Sequence, residues 1–171
     1  MGMPSKLKNL NIFLDGGSMI GIATAFTAPK LSRKMEAYRA AGMPGAAFAD
    51  FGLEDEALKT EWTCGGYVKD ILKQLGASTI SGVQVRFAGA YQRDDTGAVD
   101  EVEIVLRGRH QELDRGESKV GDDTEWKIAT HCTYYKETLN GEVLTEIDVF
   151  NNVMNIGGTD LAEGIRRAIG Q

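Results

Sequence analysis

The sequence predicts a mainly β protein, an antiparallel β-sandwich or barrel with one flanking α-helix, a long loop and a short C-terminal helix. Three observations predict it. Two segments, 83–110 and 124–150, alternate apolar and polar residues with the period of a strand and fold about turn-forming residues. Only one stretch, 67–76, carries a clear helical stripe. The 171 residues fit a single domain spanning 1–171, long enough to bury a core without disulfide or metal staples.

Taken in order, strands are expected at 6–14, 19–26 and 57–63. Gly65-Gly66 reads as a strand-to-helix turn, because the GxxxxGK[ST] and GxGxxG patterns of phosphate loops are missing around it. The packing helix 67–76 places Val68, Ile71, Leu72 and Leu75 on one stripe, and Gly76 can end it. In the first hairpin, Val83, Val85, Phe87, Gly89 and Tyr91 share one face of the first strand, and Val102, Ile104 and Leu106 share one face of the second. Folding about RDDTG, where Gly97 supplies a positive φ, sets Phe87 near Ile104 and Val85 near Leu106.

The second hairpin turns on Asn140-Gly141, a dipeptide that tolerates the type I′ turn. A two-residue loop there pairs Tyr134 with Ile147 and Cys132 with Val149, on the face of Trp126 and Ile128. Lys127, His131, Thr133, Glu146 and Asp148 fall on the opposite face, toward water or a polar partner. A helix over 160–169 closes the chain, with Asp160 as its cap and Glu163 completing a capping box before Ile165, Ala168 and Ile169. The expected total is about seven strands.

Segment 27–45 stands apart. It shows no strand alternation, and nineteen residues without a regular element are uncommon inside a compact domain. It is not composed like a disordered linker, since it holds Leu31, Met35, Tyr38 and Met43. Lys30, Arg33, Lys34 and Arg39 against Glu36 give it a net charge of +3, which leaves −9 on the rest of a chain whose total is −6. A basic, partly apolar arm on an acidic body suits docking against another copy. A solvated loop folded on its own domain is the other reading.

Chemistry is sparse. His110 and His131 lie on different hairpins, and no HxxxH, HExxH or CxxC spacing occurs, so neither a metal nor a cofactor is expected. His131 and Cys132 are adjacent in a strand and point to opposite faces, which excludes a shared catalytic site. Cys64 and Cys132 read as buried thiols. The acidic residues around Asp94, Asp95 and Asp100 lack EF-hand spacing and read as a solvated hairpin tip. Net negative charge argues against general nucleic-acid binding, and Trp62, Trp126, Tyr134 and Tyr135 read as core or interface aromatics. No apolar run is long enough to span a bilayer, and MGMPSKLKNLNIF has no signal-peptide h-region, so folding in a cytosol is expected. Residues 83–150 carry few of the prolines, bulges or lysines that block strand edges, and unblocked edges can join subunits.

Five strings, RKMEAYRAAGMPG (33–45), RFAGAYQRDDTG (86–97), VEIVLRGRHQELDRG (102–116), TYYKETLNGE (133–142) and RRAIG (166–170), together resemble the major tail tube protein of contractile-tailed phages and R-type bacteriocin particles. The resemblance implies hexameric rings that stack into a tube, with a sheath outside and tape-measure protein and then DNA in the lumen. It implies that the arm, with Arg33, Lys34, Met35, Tyr38 and Arg39, meets a neighbouring ring. It places the protein in a virion tail or tail-like particle assembled in the host cytoplasm. A negatively charged lumen would repel DNA phosphate over roughly 8 Å at physiological salt. Glu101, Glu103, Glu146 and Asp148 are the candidates for a lumen- or sheath-facing surface. A type VI secretion-like tube and a small-molecule-binding barrel or small enzyme are the competing classes.

Overall fold

The computed structural model describes residues 1–171. Twelve strands and two helices follow one another: β1 (Lys6–Leu14), β2 (Gly17–Ser18), β3 (Ala23–Thr27), β4 (Arg33–Tyr38), β5 (Ala47–Leu53), β6 (Lys59–Gly65), α1 (Lys69–Gln74), β7 (Val83–Gln92), β8 (Val99–Asp114), β9 (Glu125–Leu139), β10 (Glu142–Asp148), β11 (Val153–Ile156), β12 (Thr159–Asp160) and α2 (Glu163–Ala168). The number exceeds seven because β2, β11 and β12 are only two to four residues long, because β4 lies inside the stretch expected to be irregular, and because β5 lies just beyond it, where no element was expected.

Ten strands form one antiparallel sheet in the order β12-β11-β10-β9-β8-β7-β1-β2, with β3 and β6 joining as a branch on β9. The branch makes the fold a sandwich. β9 pairs with β6 over its first half, Glu125–His131 side, and with β10 over its second half, while β8 accompanies it along nearly its whole length. The long β8–β9 pair therefore belongs to both layers, and bulges at Arg107/Gly108 and His110/Glu112 bend it from one to the other. Phe26 of β3 stacks on Phe87 of β7 at 4.5 Å between ring centroids, which brings the layers face to face. The path ends in β2 and β12, so the barrel is not closed.

The core lies between the layers. Ile12, Val85, Leu106, Trp62, Trp126, Ile128 and Tyr135 are buried there, and Ile71 of α1 seals one end. The first hairpin keeps the expected register, with Phe87 opposite Ile104 and Val85 opposite Leu106. Both hairpins turn where expected, at Gly97 (φ 72°) and at Asn140-Gly141 (φ 49° and 84°).

Several expectations are corrected. In the second hairpin Tyr135, not Tyr134, faces Ile147, and Tyr134 faces Asp148. A bulge between Val143 and Thr145 adds one residue to β10 and slips the register by one. A second irregularity, with Arg107 opposite Tyr134 but Gly108 opposite Cys132, changes the buried phase of β9. Trp126, Ile128, Cys132 and Tyr135 are thereby all buried, and Tyr134 is turned out.

The strand expected over 19–26 starts only at Ala23, because the Met19 carbonyl accepts the N–H groups of Ile22 and Ala23 and forms a turn. The strand expected over 57–63 is β6, which starts two residues later. The terminal helix covers Glu163–Ala168 rather than 160–169, and its N-cap position is Ala162. Asp160 belongs to β12, and its carboxylate accepts the Ala162 and Met154 N–H groups while holding Arg166 at 2.6 Å.

Candidate assembly surfaces

The basic segment is a two-stranded antiparallel ribbon. β4 and β5 pair from Arg33↔Leu53 to Tyr38↔Ala47 and form a sheet of their own. This corrects the expectation of an irregular stretch over 27–45. Strand alternation in a sequence records burial of one face, and every residue of β4 is exposed. Lys30 and Leu31 precede the ribbon, Arg33, Lys34, Met35 and Tyr38 lie in β4, and Arg39 and Met43 lie in its turn. All are exposed except Met43, which is half-buried, its sulfur accepting the Ala40 N–H at 3.3 Å.

Phe48 and Phe51 of β5 were missed by sequence reading, and both are more than 60 % exposed. The available signal was the turn-like AAGMPG with short apolar runs on both sides. The pairing puts Met35 and Phe48 on one face, and Tyr38, Ala47 and Ala49 on the other. Apolar side chains thus project from both faces of an uncovered ribbon. An isolated two-stranded hairpin is marginal in water. Arg33 is bonded to Asp50 at 3.1 Å, whereas Lys30, Lys34 and Arg39 have no carboxylate partner.

The four acidic candidates come together on the outer face of the main sheet. Cross-strand rows run Phe13–Arg86–Val105–Lys136–Glu146, Asn11–Ala88–Glu103–Thr138 and Gln84–Arg107–Tyr134–Asp148, with Glu101 beside Ala90. The same rows bring three cations that sequence reading left out. Arg86 lies over the Phe13 ring at 4.0 Å and reaches Glu103 at 3.5 Å, and Arg107 lies over Tyr134 at 4.9 Å. Tyr134 donates to Glu146 at 3.3 Å, and partial burial, followed by that carboxylate, pushes its phenol above the ordinary range. Asp148 accepts the N–H groups of Phe150 and Asn151 and the Asn151 side chain, so it holds the next turn. The face is close to charge balance.

Free edges remain at both ends of the sheet. β1 pairs with β2 only at Phe13 and Leu14, and the Ile12 carbonyl accepts the Met19 N–H, which leaves Lys6 to Asn11 open on that side. Lys6, Lys8 and a bulge at Leu7/Asn9 blunt that edge. The opposite end, β12, is two residues long.

Both thiols and one of the two histidines, His110, are buried. Burial pushes the Cys64 thiol up to about 11 and the Cys132 thiol up to about 12. His110 is buried against Thr130 (2.8 Å) and Gln74 (3.3 Å), and burial lowers its pKa to about 4. Arg109 and His131 face one another while His110 faces Thr130, so the two histidines point to opposite faces. At the hairpin tip, Asp94 binds Lys8 at 2.7 Å, and Asp95 binds Arg93 and the Met3 N–H.

Comparison with known proteins finds relatives along nearly the whole chain. The family model for phage tail tube protein FII matches residues 4–170. The chain is 50 % identical over 171 residues to the tail tube protein of Escherichia phage P2, covering 99 % of each chain. It is 37 % identical over 161 residues to the major tail tube protein of Serratia phage KSP20, covering 94 % of this chain and 92 % of that one.

Proposed function

Because this chain belongs to the phage tail tube family, structural and not catalytic components of the virion tail, we propose that it forms hexameric rings that stack into the inner tube of a contractile tail. In this reading a sheath binds outside, and the lumen conducts tape-measure protein and then DNA. The single observation that carries it is the β4–β5 ribbon, which projects Met35, Tyr38, Phe48 and Phe51 with no cover from its own chain. Exposed apolar surface of this kind marks an interaction site. The ribbon is the element that joins one ring to the next, and its unpaired cations favour the acidic body of a neighbour.

The sheet face bearing Glu101, Glu103, Glu146 and Asp148 is assigned to the lumen or to the sheath. Its interleaved Arg86, Arg107 and Lys136 leave it weakly negative, and two of these cations rest on aromatic rings. Such a wall offers DNA phosphate no cluster of free cations to hold it.

Negative-stain images of the purified protein test the reading. Rings or tubes are expected, and a persistent monomer at high concentration removes it. Arg33→Glu combined with Arg39→Glu is expected to block stacking while leaving the circular dichroism spectrum unchanged. Normal tube lengths from that variant remove the ring-joining role of the ribbon.

A further inference from the structure

Each chain carries both halves of a contact that it cannot make with itself, and we propose that the β4–β5 ribbon of one copy docks in a groove at the root of the ribbon of a second copy. The inference rests on the self-assembly reading above and adds the receiving surface. The groove, with a volume of about 480 Å³, lies between the β5–β6 turn, the end of β10, β11 and α2. Leu53, Val149, Val153, Met154, Leu161 and Ile165 line it. Val149, Leu161 and Ile165 are 54 %, 46 % and 60 % exposed, so it is an apolar surface without a cover.

Its rim is acidic. Glu54 and Asp55 stand there exposed, with no ion-pair partner. The other charged groups near it are engaged: Asp148 by Phe150 and Asn151, Arg166 by Asp160, and Arg167 by Glu163. The free charge of the groove is therefore negative. The ribbon is its complement, with unpaired Lys34 and Arg39 among Met35, Tyr38 and Phe48. Apolar surface meets apolar surface, and the charges oppose.

The occupant is a second copy because the ribbon cannot reach its own groove. Gly52 and Leu53, the last ribbon residues, line the groove itself. The turn at 39–46 lies at the far end of the six-residue β4, roughly 20 Å away at about 3.3 Å per residue. Folding back would break the pairing from Met35↔Asp50 to Tyr38↔Ala47.

Two measurements on the full chain test the contact. A variant carrying both Tyr38→Cys and Ile165→Cys is oxidised after assembly and run on a non-reducing gel. Cys64 is buried, and Cys132, which lines the groove, is replaced by Ala in every variant. A ladder of covalent multimers is expected from the double variant and none from either single variant. Charge reversal supplies the second measurement. Lys34→Glu with Arg39→Glu, and separately Glu54→Lys with Asp55→Lys, are each expected to raise the concentration needed for assembly roughly tenfold or more. The two reversals combined are expected to restore most of it.

If the unmodified protein assembles but the double-cysteine variant gives no ladder and the combined reversals give no restoration, the groove is wrong and the tube reading stands. Cross-linking by a single variant means like-to-like packing and overturns the contact. Normal assembly of the Glu54→Lys, Asp55→Lys variant leaves the groove to another tail component, which also overturns it. A protein that stays monomeric at every concentration sinks both readings.

Discussion

The two antiparallel hairpins at the centre of the sheet and the β4–β5 ribbon are the same element under opposite conditions. β7 buries Val83, Val85 and Phe87 and turns Gln84, Arg86 and Ala88 outward, whereas β4 buries nothing. The first kind of strand is held by its own chain. The second has apolar groups on both faces and must find its cover elsewhere. On the proposal above, stability within the chain and cohesion between chains are written on different residues, and substitutions can separate them.

Tyr135→Ala probes the buried side of that contrast. Tyr135 is 2 % exposed and its hydroxyl donates to Glu137, so the truncation is expected to cost about 3–5 kcal/mol in urea unfolding. A cost below 1 kcal/mol would place this side chain outside the core.

Acid is expected to act on the buried side as well. His110 has a folded pKa of about 4 against an ordinary 6.5. The unfolded chain therefore binds the proton more readily. Stability is complete above pH 6.5 and falls as pH drops toward 4, by roughly 3 kcal/mol. Unfolding midpoints across that range check the slope, and His110→Gln should flatten it.

Gly108→Ala tests the bend between the layers. A Cβ there would collide with the His131 carbonyl and crowd the Cys132 backbone. Backbone cannot step aside as a side chain can, so a loss of about 2–3 kcal/mol is expected. An unchanged midpoint would mean that the β8–β9 irregularity relaxes freely.

Tyr38→Ala with Phe48→Ala should move the midpoint of the monomer least, within about 0.5 kcal/mol, because both side chains are exposed. The same pair should abolish assembly in sedimentation. Loss of monomer stability without loss of assembly would invert the contrast between ribbon and core.

This division also explains what could be read beforehand. The register of the 83–110 hairpin was legible, because two apolar phases had to agree and Gly97 marked the turn, although β8 runs from Val99 to Asp114, beyond the expected 102–110 at both ends. The Asn140-Gly141 turn was equally plain, yet the register beyond it slipped by one. An extra residue in a bulge leaves no mark on composition, and Tyr134 and Tyr135 are chemically alike. The ribbon was read as basic and apolar but not as a strand, since alternation needs a dry face and it has none. Glu101, Glu103, Glu146 and Asp148 follow from period two on separate strands. Arg86, Arg107 and Lys136 enter only through cross-strand register, which joins residues far apart in the chain.

The separation of ribbon turn and groove on one chain has a consequence for growth. A contact between two different patches is heterologous, and it either closes on itself or continues. Where it continues, every added copy covers one bare ribbon and presents another. The polymer then has two chemically distinct ends, one showing ribbons and the other showing acidic grooves. Nothing in such a bond counts subunits, so elongation carries direction but no stopping point of its own, and length has to be imposed by something outside the repeating contact.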